Sequence, residues 1–384
     1  MAFNFLKPIN SDILDFAFDL STQHLASKIV YHTKVDFPDL KKIKIAIVGV
    51  IENRGDSNKV NNVNLDFIRK EFYSLFPGNW NTSIADLGDL DAGDKIEDTY
   101  FALHKVVSFL LKKNIIPIII GGTQDLTYSI YRAYDTLEQM VNLVVIDNKF
   151  DLGKEEDDLS RNSYLTKIIV DEPNNLNNFS NVGYQSYFSS QEEIDLIEKL
   201  YFDKYRLGEV CNKIEISEPV FRDADLVSLD MNAIKSSDSG NIQNFMPNGF
   251  NGKEICALSR YAGISDKVSC FGIFNHNNSI QESILIAQIM WYFIEGYHYR
   301  SNEYPFSCKD NYIKYIVPVD DHEIIFYRSD KTERWWMEIT IFDNINNKLK
   351  KQTLLPCSHD EYLATCNQEI PERWWKSQKK NLIF

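Results

Sequence analysis

Residues 115–125 read Ile-Ile-Pro-Ile-Ile-Ile-Gly-Gly-Thr-Gln-Asp. The apolar run has the length of a buried β-strand, and the glycine pair predicts a tight turn directly after it. Two more apolar runs, at 142–146 and 225–229, are followed by Asp-Asn-Lys-Phe-Asp at 147–151 and by Asp-Met-Asn at 230–232. In an open α/β sheet, active sites form at the carboxyl ends of the strands. We therefore expect a functional site where these three polar strand ends meet.

The first 300 residues alternate between strand patterns and helix patterns. A further strand is predicted at 43–51, and helices at 12–30, 99–113, 126–137, 254–261 and 281–296. Strands that alternate with helices predict a mostly parallel sheet with helices on both faces. The predicted fold class is therefore a three-layer α/β/α arrangement.

The three polar strand ends resemble those of the ureohydrolase family, which contains arginases, agmatinases and formimidoylglutamases. Members of that family carry Gly-Gly-Asp-His-Ser, Asp-Ala-His-x-Asp and Ser-x-Asp-x-Asp at the corresponding positions, where these motifs hold two manganese ions. The resemblance covers about residues 40–300. It implies an arginase-like domain over residues 1–300, followed by a C-terminal extension over residues 301–384.

Three metal-ligand positions of the family are substituted in this chain. The two family histidines correspond to Gln124 and Lys149, and one family aspartate corresponds to Asn232. The carboxylates that remain in register with the family are Asp147, Asp151 and Asp230.

Lysine at position 149 argues against a metal ion beside it. A protonated ammonium has no lone pair to donate, and at ~4 Å it repels a unit charge by roughly 4 kcal/mol at an effective dielectric of 20. We expect Lys149 to stand in place of the second metal and to pair with Asp147 and Asp230. The former metal site is then a salt-bridge cluster without a cofactor. The alternative is one Mn²⁺ or Mg²⁺ ion on oxygens of Gln124, Asp147, Asp151 and Asp230.

Two other features that the family uses for catalysis are changed. The substrate-binding glutamate of the family lies late in the chain, and the corresponding segment 272–277, Gly-Ile-Phe-Asn-His-Asn, has no carboxylate. The segment 162–165, Asn-Ser-Tyr-Leu, lies between the second and third motifs and has no histidine that could transfer a proton. We therefore expect no catalytic residues of the ureohydrolase type.

The C-terminal extension is rich in tryptophan. Strands at 323–327 and 335–342 with a turn at 329–332 predict a β-hairpin. Glu-Arg-Trp-Trp occurs twice, and its two copies contain Arg334, Trp335, Trp336, Arg373, Trp374 and Trp375. One interpretation is that these residues attach the extension to the core, with each arginine stacked on the rings. The other is that they form an interaction surface, because Trp and Arg are enriched in binding hot spots.

Composition narrows the range of partners. The net charge of −14 argues against nucleic acid and anionic membranes, which select a basic face. No apolar run is long enough for a membrane helix, and the N-terminus lacks the pattern of a signal peptide. The six cysteines have no paired spacing and are expected to be reduced. We expect a cytoplasmic protein without membrane insertion, and the resemblance leaves a homo-oligomer open.

Two hypotheses for the function follow. The first is an arginase- or formimidoylglutamase-like pseudoenzyme that binds another protein as a scaffold or regulatory subunit. The second is a divergent hydrolase of C–N bonds, of the amidine, guanidine or formimidoylglutamate type, that uses one metal ion or none. Metal analysis of protein purified with manganese separates them.

Overall fold

The computed structural model describes residues 2–56, 63–137, 139–303, 305, 309–339 and 354–383. The strands are β1 (Leu6–Lys7), β2 (Ile29–Tyr31), β3 (Ile45–Ile51), β4 (Ile84–Asp91), β5 (Ile116–Ile120), β6 (Val141–Ile146), β7 (Leu176–Tyr184), β8 (Asp203–Arg206), β9 (Leu226–Asp230), β10 (Cys270–Phe274), β11 (Tyr312–Val319), β12 (His322–Ser329), β13 (Trp335–Glu338) and β14 (Leu354–Cys357). The α-helices are α1 (Ser11–Asp19), α2 (Asp66–Ser74), α3 (Ile96–Lys112), α4 (Leu126–Arg132), α5 (Tyr164–Val170), α6 (Gln191–Lys199), α7 (Leu207–Asn212), α8 (Glu218–Asp223), α9 (Ser236–Ser239), α10 (Gly252–Ile264), α11 (Ile280–His298), α12 (His359–Cys366) and α13 (Glu372–Ile383).

Strands β1 to β10 form one sheet, and its order decides which strand ends become neighbours. The order is β1-β4-β3-β5-β10-β9-β6-β7-β8, with β2 also paired to β4. Strand β1 runs antiparallel to β4, and the other pairs are parallel. The mostly parallel α/β sheet predicted from the sequence is confirmed.

Helices cover both faces of this sheet because the strands are apolar on both sides. In β5, Ile118 and Ile120 belong to a core that also contains side chains of α10 and α11. Ile119 belongs to the core on the other face, with side chains of α3 and α4. Successive residues of a strand point to opposite faces, so an unbroken apolar run is buried on both.

The predicted helix over residues 12–30 is wrong in its second half. Helix α1 ends at Asp19, a short 3₁₀ turn follows at Leu25–Lys28, and Ile29–Tyr31 is a strand. Those three residues pair in parallel with Ile84, Ala85 and Asp86 of β4. Pairing with the sheet stabilises the β-branched segment more than local helix periodicity does.

The C-terminal extension forms a second sheet, β11-β12-β13-β14, which is antiparallel throughout. The predicted hairpin corresponds to β12 and β13, and the part of it at 340–342 lies outside the described residues. The second Glu-Arg-Trp-Trp copy lies at the start of helix α13. Pro371 directly precedes that helix, and proline is well suited to a helix start.

The second sheet is joined to the first domain at α8 and at strands β7 and β8. Arg222 of α8 donates to the Cys357 carbonyl at 2.8 Å and lies over the Trp336 ring at 4.6 Å. Lys376 forms an ion pair with Asp203 at 3.6 Å. Among the described residues, no helix combines the length and the apolar character that crossing a bilayer demands.

Candidate functional site

Four adjacent strands bring the predicted site residues together. Strands β5, β10, β9 and β6 are neighbours in that order. Gln124 follows β5, Asp230 ends β9, and the segment 147–151 follows β6. Because these strands are parallel, their carboxyl ends lie at one edge of the sheet.

Three buried carboxyl groups form the centre of the site. Asp147, Asp151 and Asp230 are each no more than 3% exposed, and one oxygen of each lies within 4.8 Å of the others. Burial raises the pKa of Asp147 well above its usual range, and the charges of Asp151 and Asp230 raise it further. Burial and the charge of Asp151 also raise the pKa of Asp230. Asp147 and Asp230 therefore hold protons more tightly than exposed carboxyl groups would.

Lys149 supplies the positive charge of the cluster, but its partner differs from our prediction. Its Nζ lies 2.5 Å from Asp151 Oδ1 and donates to Asn162 Oδ1 at 2.6 Å. We had expected an ion pair with Asp147 or Asp230. Burial lowers the pKa of Lys149, yet the charges of Asp151 and Asp147 outweigh it and leave the pKa raised. Lys149 is therefore charged at neutral pH.

Side-chain amides donate to the carboxylates of Asp147 and Asp230. Asp230 Oδ1 accepts from the backbone N–H of Asn232 at 2.7 Å and from its Nδ2 at 2.8 Å. Asp230 Oδ2 accepts from Asn275 Nδ2 at 2.8 Å. With its amide oriented to suit its neighbours, Gln124 donates to Asp147 Oδ2 at 3.0 Å and to Asp230 Oδ2 at 3.1 Å. In that orientation its oxygen accepts from the Tyr164 hydroxyl at 3.3 Å. This arrangement explains the preference of Lys149 for Asp151, because amides already occupy Asp147 and Asp230.

Sequence reasoning missed Asn275, Asn162 and Tyr164 as members of the site. Asn275 has a φ of 62°, a left-handed conformation that asparagine tolerates, and its backbone N–H donates to the Gly122 carbonyl at 2.6 Å. The sequence pattern that indicates Asn275 as a site residue is the apolar strand 270–274, which asparagine follows directly. Asparagine and tyrosine in segments 272–277 and 162–165 are not residue types that the family motifs indicate.

The donors at this site do not fit a binuclear manganese centre. Manganese needs carboxylate and imidazole lone pairs, but N–H groups of Gln124, Asn232 and Asn275 point at the carboxylate oxygens. The ammonium of Lys149 lies against Asp151. Each of these groups turns a donor, not a lone pair, toward the position that a metal would occupy. We therefore derive no chemical step through a metal pair.

The residues of the two Glu-Arg-Trp-Trp copies differ in exposure. Trp335, Trp336 and Trp374 are buried, at 7%, 0% and 7%, whereas Trp375 is 42% exposed. Arg334 lies 3.6 Å from Glu218, and Arg373 donates to the Pro356 carbonyl at 2.7 Å. The cations over the rings are instead Arg222 on Trp336 and Lys379 on Trp375. Arg334 and Arg373 therefore do not stack on the tryptophan rings as predicted, because Arg334 faces the carboxylate of Glu218 and Arg373 faces the carbonyl of Pro356.

Removing the charge of Asp147 is expected to stabilise the fold, and increasingly so at higher pH. The folded pKa of Asp147 is raised, so its stabilising contribution is complete below the unfolded pKa of about 3.9 and is lost as the pH rises toward the folded pKa. Asp147→Asn cannot ionise and avoids this loss. Between about pH 4 and about pH 8, its free energy of unfolding should gain about 1–3 kcal/mol on the parent, the size of the desolvation penalty of one buried polar group.

Urea denaturation across that pH range measures the gain. Asp360→Asn is the control, because Asp360 is exposed and Lys213 lowers its pKa. The difference in free energy of unfolding between Asp360→Asn and the parent should therefore not rise with pH. A difference between Asp147→Asn and the parent that stays constant with pH would contradict the prediction.

Comparison with known proteins places the chain among arginase-like structures. The profile of the arginase family matches residues 61–293. The formiminoglutamase of Trypanosoma cruzi, solved with manganese, is similar with a TM-score of 0.60 and 17% identity, over 69% of this chain and 100% of that one. The formimidoylglutamase of Bacillus subtilis has the same TM-score and identity, over 69% and 91%. The agmatine ureohydrolase of Thermoplasma volcanium has a TM-score of 0.58 and 18% identity, over 73% and 96%. Comparison with curated protein sequences gives no significant match.

Proposed function

This chain belongs to the arginase family, and we propose that it is a pseudoenzyme that has exchanged the binuclear manganese centre for a salt-bridge cluster. The observation that carries the proposal is the Lys149 ammonium 2.5 Å from Asp151, in a site whose other carboxylates accept from amides. In the two-metal mechanism of the family, hydrolysis of a guanidine or amidine uses a water activated by the metal ions. The cluster offers no group that replaces that activation.

The role that remains is binding, as a scaffold or regulatory subunit for another protein. We propose that the site holds no cofactor, since the ammonium of Lys149 already lies against Asp151. The free thiols of Cys211, Cys256, Cys270, Cys357 and Cys366 suit a reducing compartment. We therefore propose a cytoplasmic location.

A second candidate is a hydrolase of C–N bonds that holds one divalent cation. It is favoured by the spacing of Asp147, Asp151 and Asp230, whose oxygens lie within 4.8 Å of one another. With the oxygen of Gln124 turned inward, four oxygen ligands could face one Mn²⁺ or Mg²⁺ ion. Lys149 would then have to leave Asp151.

Purified protein dialysed against excess manganese is expected to retain no pair of manganese ions. It should release no urea from arginine or agmatine and no formamide from formimidoylglutamate, because no metal-bound hydroxide forms at neutral pH. Elemental analysis and colorimetric assays measure both outcomes. The matched variant Gln124→His/Lys149→His/Asn232→Asp has the ligand types of the family and should gain manganese binding.

Manganese-dependent hydrolysis by the parent protein, lost in Asp147→Ala, would overturn the pseudoenzyme proposal. Retention of a single ion that Asp147→Ala abolishes, together with hydrolysis, would instead support the second candidate. If the triple variant folds and binds no manganese, then substitutions elsewhere also block the site.

A further inference from the structure

A polar cavity lies at the edge of the large sheet opposite to the salt-bridge cluster. The cluster follows the carboxyl ends of the strands, whereas Lys44 directly precedes β3 and Ser83 directly precedes β4. The first residues of these parallel strands, Ile45 and Ile84, are paired, so the segments before them are neighbours. The seven residues of β3 separate the two edges by roughly 20 Å. We call the space beside Lys44 and Ser83 the amino-edge cavity.

The amino-edge cavity has the volume of a small-molecule site. It measures about 360 Å³, which is within the 300–1,000 Å³ of typical ligand pockets. Its wall is formed by Lys44, by residues 81–83, and by side chains of the segment 297–302 at the end of α11. A small metabolite, and not only an inorganic ion, therefore fits in it.

The wall of the amino-edge cavity is positively charged. Lys44, His298 and Arg300 line it, and among the described residues no aspartate or glutamate does. Lys44 is exposed, and it forms no ion pair within the described part of the chain. The wall therefore has basic side chains that no lining carboxylate offsets.

The guanidinium of Arg300 is held by neutral groups. Its Nε donates to the Gly263 carbonyl and its Nη2 to the Val268 carbonyl, both at 2.8 Å, and it lies over the Tyr297 ring at 4.7 Å. Its Nη1 donates to no described residue. Burial lowers the pKa of Arg300 to about 10, which leaves the group charged at neutral pH. Arg300 thus brings a positive charge and one uncommitted donor group to the cavity.

Two sources of negative charge near the cavity do not reach its wall. The charge of Asp266 acts on Arg300, but Asp266 is not a lining residue and accepts from the backbone N–H groups of Asn302 and Glu303 at 3.0 and 2.8 Å. The carboxyl end of α11 adds roughly −0.5 charge. An anion in the cavity meets Lys44 and Arg300 directly and these negative groups only at longer range, where the solvent screens them.

We propose that the amino-edge cavity binds a phosphate monoester of a small polyhydroxylated compound. A phosphate monoester carries about −1.5 to −2 charge at pH 7, which matches the two charges of Lys44 and Arg300. A single carboxylate would match only one of them. The phosphate oxygens accept from Lys44 Nζ and from the guanidinium of Arg300, the two kinds of donor that phosphate groups select.

The rest of the wall suits hydroxyl groups. Its polar side chains are amides and hydroxyls, which both donate and accept hydrogen bonds. They belong to Asn81, Thr82, Ser83 and Asn302, and Tyr297 adds an aromatic ring. Because these groups are neutral, they distinguish a sugar-like ligand from a bare phosphate ion by the hydroxyl groups that it carries.

Calorimetric titration of the full-length protein with ribose 5-phosphate, at neutral pH and low ionic strength, tests the proposal. We expect saturable binding of one equivalent, weaker binding of inorganic phosphate, and no binding of ribose. Lys44→Met should weaken the binding of ribose 5-phosphate by about tenfold, because it removes one charge-assisted hydrogen bond from an exposed position.

The matched control is Lys253→Met on helix α10. Lys253 is also exposed, but it is not a lining residue of the cavity. It should leave the affinity unchanged, and equal melting temperatures of the two variants would show that both are folded.

Three outcomes would overturn the proposal: no saturable binding of ribose 5-phosphate, inorganic phosphate that binds as tightly as ribose 5-phosphate, or equal weakening by Lys44→Met and Lys253→Met. The amino-edge cavity and the salt-bridge cluster lie at opposite edges of the sheet. Each of these outcomes therefore leaves the loss of metal chemistry standing, which manganese-dependent hydrolysis tests separately.

Discussion

Replacing Lys149 by methionine is expected to lower the free energy of unfolding by about 3–5 kcal/mol at neutral pH, the usual cost of breaking a buried ion pair. The side chain of Asp151 is only 1% exposed, so its carboxylate loses its ion-pair partner while it remains buried. Asp147 and Asp230 lie within 4.8 Å of it and add repulsion. Methionine keeps most of the side-chain length, and the loss therefore measures charge more than packing.

The difference in free energy of unfolding between the parent and Lys149→Met should become smaller as the pH falls. Without the ammonium, the buried carboxyl groups hold protons above the pH at which the unfolded chain releases them. Their stabilising contribution is therefore present at low pH and is lost as the pH rises. Urea denaturation of the parent and of Lys149→Met at about pH 5 and about pH 8 measures this difference at each pH.

Lys213→Met is the matched control for this prediction. Lys213 also pairs with an aspartate, Asp360, but their side chains are 55% and 63% exposed. Exposed ion pairs contribute little, so this variant should unfold like the parent. If Lys149→Met and Lys213→Met unfold at the same urea concentration, the cluster does not depend on the ammonium of Lys149.

Replacing Trp336 by alanine is expected to cost about 3–5 kcal/mol, the range for deleting a large buried aromatic side chain. Trp336 is 0% exposed and is in edge contact with Tyr312, with ring centroids 5.5 Å apart. The guanidinium of Arg222 lies over its ring and would lose that contact while remaining buried. Because Trp336 of the second sheet contacts Arg222 of helix α8, the variant should loosen the attachment of the extension.

Trp375→Ala is the control for this prediction, since the ring of Trp375 is 42% exposed. Trp375→Ala should change the free energy of unfolding by no more than about 1 kcal/mol, because substitutions at exposed positions usually have small effects on stability. Urea denaturation followed by tryptophan fluorescence and by amide exchange of β12 and β13 measures both variants. Equal destabilisation by the two substitutions would show that Trp336 is not the residue that joins the sheets.

Several parts of this molecule could be predicted from the sequence because they depend on short-range patterns. Unbroken apolar runs of strand length predict the strands before Gln124 and Asp147. The alternation of strands with helices predicts a parallel sheet that is covered on both faces. The substitutions at Gln124, Lys149 and Asn232 are visible in the sequence itself. Their chemistry, two amides and an ammonium, follows from residue identity without coordinates.

The tertiary structure decided the partners within the site. Strand β10 lies between β5 and β9 and thereby brings Asn275 to Asp230, a neighbour that no local pattern indicates. Lys149 pairs with Asp151 rather than Asp147 or Asp230 because amides from three strand ends already occupy those carboxylates. Likewise, Ile29–Tyr31 is a strand only because β4 offers an edge to it. Strand type and residue chemistry are local properties, whereas hydrogen-bond partners depend on strand order, which contacts between distant parts of the chain determine.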